Sequence, residues 1–246
     1  MSLRVRLLAA VLLVLAPLHR AESQQLQQPD GWRFTLAPYF LFPHMDGTVA
    51  VGPIRTEIDA SPGDIFSNLQ FGAMLAAEAR NNEWAIGFDG LYMDLSKDGE
   101  DLPTKYDGYQ AGLELTGFRK FTPFFEVLAG GRLNLMGTSF TSPAGVTLVD
   151  KNLSWFDPFL GVRFTIPNTG KWTVMLRGDV GGFGVGSQFA WQVRPTVAYS
   201  VSKHWAFGAA YWALGMDYTK GEIGDHDYFK YDVTTFGPEI GVAYTF

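Results

Sequence analysis

Apolar and polar residues alternate along this chain with a period of two. Around 171–184, for example, Trp172, Val174 and Leu176 alternate with Thr173 and Arg177. Successive side chains of a β-strand point to opposite faces of a sheet. The alternation therefore predicts strands that each have one apolar and one polar face, and an all-β fold.

Ten stretches carry this alternation, and most are longer than the strands of soluble sheets. Strands in soluble proteins usually have about five or six residues, whereas a tilted strand needs about 9–11 residues to cross a bilayer. The predicted strands are 32–43, 70–81, 83–96, 106–119, 123–140, 152–166, 171–184, 187–200, 204–218 and 229–246. Eight or twelve strands are the alternatives. Thr48–Ile58 also alternates, and an added hairpin would preserve an even number.

The connections between these stretches alternate in length. The short ones are 81–82, 120–123, 167–170 and 200–203, and the longer ones are 44–69, 97–105, 141–151 and 219–228, with a tight turn near Gly186. Short periplasmic turns opposite longer extracellular loops are typical of outer-membrane barrels. The segment 45–69 is the longest predicted loop and our candidate for recognition of a partner.

Aromatic residues mark both ends of the predicted strands. At the predicted periplasmic ends are Trp32, Trp84, Phe124, Trp172 and Trp205. At the opposite ends are Phe42, Tyr92, Tyr106, Phe140, Trp155, Phe189, Tyr218 and Phe229. Two such groups, about one membrane thickness apart, predict the two aromatic girdles of a transmembrane β-barrel.

The charge content disfavours the soluble alternatives. A soluble β-sandwich or lipocalin-like barrel needs a richly charged outer face, but only 18% of the residues are charged. A net charge of -6 and a pI near 5.2 disfavour nucleic-acid binding, which requires a basic face. The absence of Cys excludes disulfide scaffolds, thiol catalysis and Cys-ligated zinc.

The N-terminus has the features of a secretory signal peptide. Arg4 and Arg6 precede an apolar run from Leu7 to Leu18, and Ala21 and Ser23 offer small residues for cleavage. We therefore predict that residues 1–23 are a signal peptide and that residues 24–246 form the barrel. The apolar run is too short to span a bilayer as a helix.

The last residues resemble the sorting signal that the bacterial outer-membrane assembly machinery recognises on barrel proteins. Its positions are Glu239, Gly241, Tyr244 and the terminal Phe246. The segments Trp155–Arg163 and Arg177–Ser187 are similar to stretches of uncharacterised barrels from Gram-negative bacteria. The chain as a whole resembles small outer-membrane β-barrels of the broad porin-like superfamily. The resemblance implies an up-and-down barrel in the outer membrane, with lipid and the assembly machinery as partners, and it implies no activity.

If the apolar face meets lipid, the polar face lines the lumen. The predicted lumen residues are Glu78, Arg80, Asp89, Glu114, Glu126, Arg132, Asp157, Arg163, Arg177, Asp179, Arg194 and Glu239. One interpretation is a network of ion pairs that fills a narrow interior. The other is a narrow channel whose charges select ions or small solutes. Trp212, which also faces inward by parity, would narrow either interior.

Other motifs carry little chemistry. The run Gly178–Gly186 lacks the helix and the Lys of a phosphate-binding loop, so a bend in the strand is the better interpretation. Asp225, His226 and Asp227 lie in a predicted extracellular loop, where omptin proteases place Asp and His, but the rest of the omptin pattern is absent. We therefore expect no enzyme, no cofactor and no metal site.

These observations predict an outer-membrane β-barrel of about ten strands. Its expected role is a narrow porin-like pore for ions or small solutes, or a structural barrel with a polar-filled lumen. The alternatives are an adhesion or recognition barrel that acts through its extracellular loops and, more distantly, a barrel-embedded hydrolase. The oligomeric state and the identity of any solute do not follow from the sequence.

Overall fold

The structure is a computed structural model that describes residues 31–52, 54–98, 105–142, 144–166, 170–223, 225 and 228–246. The predicted signal peptide, residues 1–23, lies outside the described residues. The strands are β1 Arg33–Leu41, β2 His44–Val51, β3 Ile54–Ala60, β4 Leu69–Arg80, β5 Trp84–Asp98, β6 Lys105–Thr122, β7 Phe125–Thr141, β8 Thr147–Ile166, β9 Trp172–Gly181, β10 Phe189–Ser200, β11 Trp205–Lys220 and β12 Phe229–Thr245. A short helix, α1, spans Pro62–Asn68.

The strands close into one antiparallel barrel. The order around it is β1-β4-β5-β6-β7-β8-β9-β10-β11-β12, and β12 pairs with β1 to complete the circle. The strand β2 continues β1, because β1 pairs with the second half of β12 and β2 pairs with the first half. In the same way β3, which pairs with β2, continues β4 beyond α1. The twelve segments therefore make ten barrel strands, which confirms the predicted fold.

The segment 45–69, predicted to be a loop, is instead a hairpin followed by a helix. The alternation of Thr48–Ile58 does form strands, β2 and β3. The alternative of twelve strands does not hold, because this hairpin lengthens two existing strands and adds none. The helix α1 begins with a capping box in which the Ser61 side chain accepts from the backbone of Asp64 and the Asp64 side chain accepts from the backbone of Ser61.

The predicted strand bounds differ from the observed ones at the extracellular side. The strand β8 begins at Thr147, so the connection before it is shorter than 141–151. The strand β9 ends at Gly181, whereas 171–184 was predicted, because Gly182 and Gly184 adopt positive φ angles of 83° and 74° in a tight turn. Glycine has no Cβ to oppose that conformation, and β9 is accordingly short.

The outer face of the barrel is apolar. Phe34, Leu115 and Leu160 are among the large apolar side chains exposed on it. The five predicted periplasmic aromatics are also exposed: Trp32, Trp84, Phe124, Trp172 and Trp205. Such a surface matches the hydrocarbon zone of a bilayer and not water. No helix in the described part of the chain is long and apolar enough to cross a membrane.

The predicted extracellular girdle needs correction. Trp155, Tyr218 and Phe229 are buried inside the barrel, and Tyr106 shares the inward face of β6 with Glu114. The side chain of Phe140 is outside the described part. The position of an aromatic residue along a strand predicts its height in the barrel and does not distinguish the two faces. The parity of each strand does, and it places these four residues inside.

Candidate functional site in the barrel interior

The structure places all twelve predicted lumen residues inside the barrel and brings eleven of them together in three groups. Eight of them form two four-membered rings of ion pairs, and three form a group around Arg194. The twelfth, Asp157, is held by neutral donors. The alternation of the strands thus positions each charged group, while the cross-barrel contacts arise only in the closed fold.

The lower ring lies near the periplasmic end and consists of Glu78, Arg80, Glu126 and Arg163. Arg80 contacts Glu78 at 2.7 Å and Glu126 at 2.8 Å. Arg163 contacts the same two carboxylates at 2.7 and 2.6 Å. The guanidinium carbon of Arg163 also lies over the ring of Phe118, 3.9 Å from the ring centroid. Two arginines and two glutamates balance each other, as buried charges require.

The central ring repeats this arrangement with Glu114, Arg132, Arg177 and Asp179. Arg132 contacts Glu114 at 2.8 Å and Asp179 at 3.2 Å. Arg177 contacts them at 2.7 and 2.9 Å. Gln192 donates to Asp179 and accepts from Trp212 Nε1 at 2.8 Å. The predicted inward position of Trp212 is therefore observed, and it ties β11 to the ring.

The Arg194 group crosses the whole lumen. Arg194 on β10 donates to Asp89 on β5 and to Glu239 on β12, both at 2.7 Å. Tyr39 on β1 donates to Asp89 at 2.6 Å. In the order around the barrel, β10 and β5 lie opposite each other, so the group forms a bridge from wall to wall.

Asp157 anchors the turn between β9 and β10. Its carboxylate accepts from the backbone N–H of Ser187 at 2.6 Å and from the Ser187 hydroxyl at 2.9 Å. It also accepts from Asn134 at 3.0 Å and from Trp155 Nε1 at 3.1 Å. Asp157 and Ser187 are fully buried. Four donors stabilise this carboxylate without a cation, which indicates a structural role.

The extracellular half of the interior is apolar, a feature that sequence analysis missed. We call it the outer tier, and it consists of Trp155, Ala190, Leu214, Met216, Tyr218, Phe229, Tyr231 and Val233. Trp155 and Tyr218 stack with ring centroids 4.4 Å apart. The signal was present on β12, where the odd positions that continue upward from Glu239 carry Val233, Tyr231 and Phe229. The assumption that every inward residue is polar concealed it.

The periplasmic half of the interior differs on the side formed by β10, β11, β12 and β1. Inward positions there carry small residues, namely Thr35, Ala37, Thr196, Ala198, Ala206, Gly208, Ala210, Gly241, Ala243 and Thr245. All are only half-buried, although they face inward. Small side chains leave space between opposite walls, so this region is a cup that opens toward the periplasm. Arg33 on β1 and Lys120 on β6 face inward at the same end of the barrel, being paired across the sheet with Arg80 and Glu126.

A cavity of about 50 Å³ lies between the central ring, the Arg194 group and the outer tier. Its lining combines Leu91, Trp212, Leu214 and Met216 with charged residues of the two groups. The amide side chains of Gln110, Asn134 and Gln192 also line it.

The remaining predicted residues have structural contacts. In the C-terminal segment that resembles a sorting signal, Glu239 belongs to the Arg194 group, and Tyr244 packs on Trp205 and Phe246. Of the loop triplet, His226 and Asp227 lie outside the described residues. In the part of the chain that the structure describes, no cluster of His, Asp and Glu has the geometry to hold a metal ion.

Several solved structures are similar to this chain. The attachment invasion locus protein Ail of Yersinia pestis is 10% identical, with a TM-score of 0.44, over 88% of this chain and 99% of Ail. The outer membrane protease OmpT of Escherichia coli is 9% identical, with a TM-score of 0.49, over 91% of this chain and 99% of OmpT. Neisserial surface protein A is 15% identical, with a TM-score of 0.37, over 88% of this chain and 99% of that protein. No protein-family model and no curated protein matches the sequence.

The protein is an outer-membrane β-barrel. Its own geometry supports this conclusion: a closed ladder of ten barrel strands and an apolar outer face bordered by tryptophans. The bacterial outer membrane is accordingly its location.

Proposed function

We propose that the protein is a structural barrel that does not conduct ions and that acts through the surface it displays outside the cell. The observation that supports this proposal is the Arg194 bridge from β10 to β5, with the outer tier stacked above it. A conducting pore needs a continuous polar path. Buried tyrosine, tryptophan and leucine side chains interrupt such a path in the extracellular half.

The ion pairs support the same proposal. In the lower ring and in the central ring, each of the two arginines has a nitrogen within 3.2 Å of an oxygen of both carboxylates. Arginines that select a permeating anion would face open water, whereas Arg132 has only 4% of its side chain exposed. These charges hold strands together, which is the first of the two interpretations that the sequence left open.

The test is the conductance of the refolded barrel in a planar bilayer, with heat-dependent gel mobility as proof of folding. We expect folded wild-type protein to give no discrete current steps. Arg132→Ser and Arg194→Ser should lower the free energy of unfolding and should also give no discrete current steps. Discrete steps from wild-type protein, with an ion selectivity that changes in Arg194→Ser, would instead establish the narrow pore.

The hairpin β2–β3 is the part of the displayed surface that we assign to contacts with partners. Arg55, Thr56 and Glu57 are exposed on it, and in the described pairings β3 has β2 as its one strand neighbour. A free strand edge can accept another strand. The proposal includes no catalytic activity, and the expectation that this chain is not an enzyme stays a prediction.

A further inference from the structure

The extracellular wall of the barrel is lower at the hairpin β9–β10 than on either side of it. β9 ends at Gly181, whereas β8 extends upward as far as Thr147. In the described pairings, residues 147–158 of β8 therefore have β7 on one side and no strand on the other. β11 also rises above its last pair with β10, over residues 218–220. We call the opening between these parts of β8 and β11 the notch.

The main-chain groups of the even-numbered residues of β8 point into the notch. The carbonyl of Pro158 accepts from the backbone N–H of Gly182 on the β9 side at 3.0 Å. The N–H and C=O groups of alternate residues point to the same edge of a strand, and the ladder to β7 is regular over this range. The N–H groups of Asn152 and Ser154 therefore face the notch. In the described part of the chain, neither has a main-chain hydrogen bond on that side.

The free edge of β8 lies where its outer face changes from apolar to polar. Above the exposed Phe156, the outward side chains are all polar and exposed: Ser154, Asn152 and Asp150. The inward neighbours are apolar, since Trp155 belongs to the outer tier and Leu153 packs against it. A strand added at this edge would place every second side chain against an apolar wall and the others in water.

The walls of the notch carry more negative than positive charge. On β8 above Phe156, and on β11 with its connection to β12, the described charged residues are the acidic Asp150, Asp217, Glu222 and Asp225 and the basic Lys151 and Lys220. Lys230 and Asp232 of the neighbouring β12 pair with each other at 3.2 Å. A surface of this sign attracts basic segments and repels acidic ones.

We propose that the free edge of β8 binds an extended peptide segment of a partner, in which apolar and basic residues alternate. A free strand edge accepts another strand through main-chain hydrogen bonds, and alternate side chains provide the specificity. The apolar side chains of the segment pack toward Leu153 and the outer tier, and the basic ones lie near the acidic residues of the notch.

A second copy of this chain does not fit the same edge. Two copies in one membrane have the same orientation, and barrel strands are tilted by about 40°. Their β8 strands would therefore cross instead of running side by side, so the partner is a separate extended segment.

The test uses the chain without residues 1–23, refolded into phosphatidylcholine nanodiscs, and a peptide of about six alternating valines and lysines with both ends blocked. We expect saturable binding, with hydrogen exchange of the Asn152 and Ser154 N–H groups, followed by NMR, slowed by about tenfold. Ser154→Pro removes one N–H from the notch and no bond of the ladder to β7, as the native Pro158 also does. It should weaken binding by about tenfold, the effect of one lost hydrogen bond. Ser154→Ala keeps this N–H and should bind like the wild-type protein.

Two altered peptides complete the test. The same peptide with every amide N-methylated keeps its side chains and charge but cannot donate hydrogen bonds, and it should not bind. A peptide with glutamate in place of lysine should bind more weakly by about tenfold or more.

The outcomes separate the parts of the proposal. Unchanged exchange of Asn152 and Ser154, or equal affinities of folded Ser154→Pro and Ser154→Ala, overturns binding at this edge. Equal binding of the N-methylated peptide overturns strand addition, a result that stands even if Ser154→Pro does not fold. Equal binding of the glutamate peptide overturns the basic character of the partner. All these results are independent of conductance and of the hairpin β2–β3, so they go beyond the proposed function and do not depend on it.

Discussion

The extracellular and periplasmic halves of the interior share the same alternation of side chains, but the extracellular half is filled and the periplasmic half keeps open space. On β12 the inward positions of the extracellular half carry Phe229, Tyr231 and Val233, which are buried. The inward positions of the periplasmic half carry Ala243 and Thr245, which are half-buried. Alternation decides which side chains point inward. Their size decides whether a lumen remains, and only the periplasmic half keeps one.

Two of the three charged groups lie where these two halves meet. The central ring and the Arg194 group stand between the outer tier and the cup, so each charge has partners inside the barrel. Burial of unpaired charges is costly, whereas a complete ring is self-compensating. The two halves should therefore respond differently to the same substitution.

Loss of the central ring should destabilise the barrel most. Arg132→Ala leaves Glu114 and Asp179 to share Arg177, and we expect the free energy of unfolding to fall by about 3–5 kcal/mol. Urea unfolding of the refolded barrel, followed by tryptophan fluorescence, measures this loss.

The control for this variant is an arginine on the outside of the barrel. Arg119 pairs with Glu83 at the periplasmic rim, where 37% and 67% of the two side chains are exposed. Arg119→Ala should cost no more than about 1 kcal/mol, as exposed pairs do. Equal losses in Arg119→Ala and Arg132→Ala would contradict the structural role of the ring.

The second effect compares the two halves directly by adding one side chain to each. Ala190 in the outer tier is fully buried, whereas Ala210 in the cup wall is half-buried. Ala190→Leu overpacks a filled region and should lower the free energy of unfolding by about 2 kcal/mol. Ala210→Leu enters open space and should change it by less than about 1 kcal/mol. Similar losses in the same urea titration would mean that the cup is as filled as the outer tier.

The barrel could be predicted well because the features that indicate its strands lie close together in the sequence. Alternation, turn residues and strand length are all readable within about twenty residues, and they located strands such as β7 and β10 to within two residues of the observed bounds. The lumen residues followed from parity alone. Parity is a property of each strand and does not require knowledge of its neighbours.

The features that escaped prediction depend on which strands lie opposite each other. That Arg194 reaches Asp89 follows from ring closure, which no single strand reveals. The segment 45–69 was misassigned because its hairpin is stabilised by pairing with β12, far away in the sequence. The outer tier escaped prediction because Tyr218 and Phe229 are aromatic residues near strand ends, as in a girdle. The parity of their strands nevertheless places both side chains inside the barrel.

The third effect concerns the turn that closes the extracellular side between β9 and β10. Ser187→Ala removes one of the four donors to Asp157 and also the acceptor of a bond from Trp155 Nε1. We expect a loss of about 1.5 kcal/mol, the usual range for a hydrogen bond to a charged group. Ser202→Ala, in an exposed periplasmic turn, is the control. A loss no greater than that of Ser202→Ala in urea titrations would show that the turn does not need this anchor.

The smallest effect distinguishes a titrating cap on the extracellular side from a neutral cap on the periplasmic side. The hydroxyl and backbone N–H of Ser61 hold the pKa of the exposed Asp64 below its ordinary value of 3.8. A carboxyl whose pKa is lower in the folded state stabilises the fold above its unfolded pKa, and this contribution is lost as the pH falls through the folded pKa.

At the periplasmic end, the Asn81 side chain accepts from the backbone of Glu83 and Trp84 and cannot titrate. Amide-exchange protection of α1 should therefore decrease between pH 7 and acid, whereas protection of Trp84 should not. Asp64→Asn should give weak protection of α1 at every pH. Unchanged protection of the wild-type helix in acid would show that the packing of Phe66 on Phe40, and not the cap, holds α1 in place.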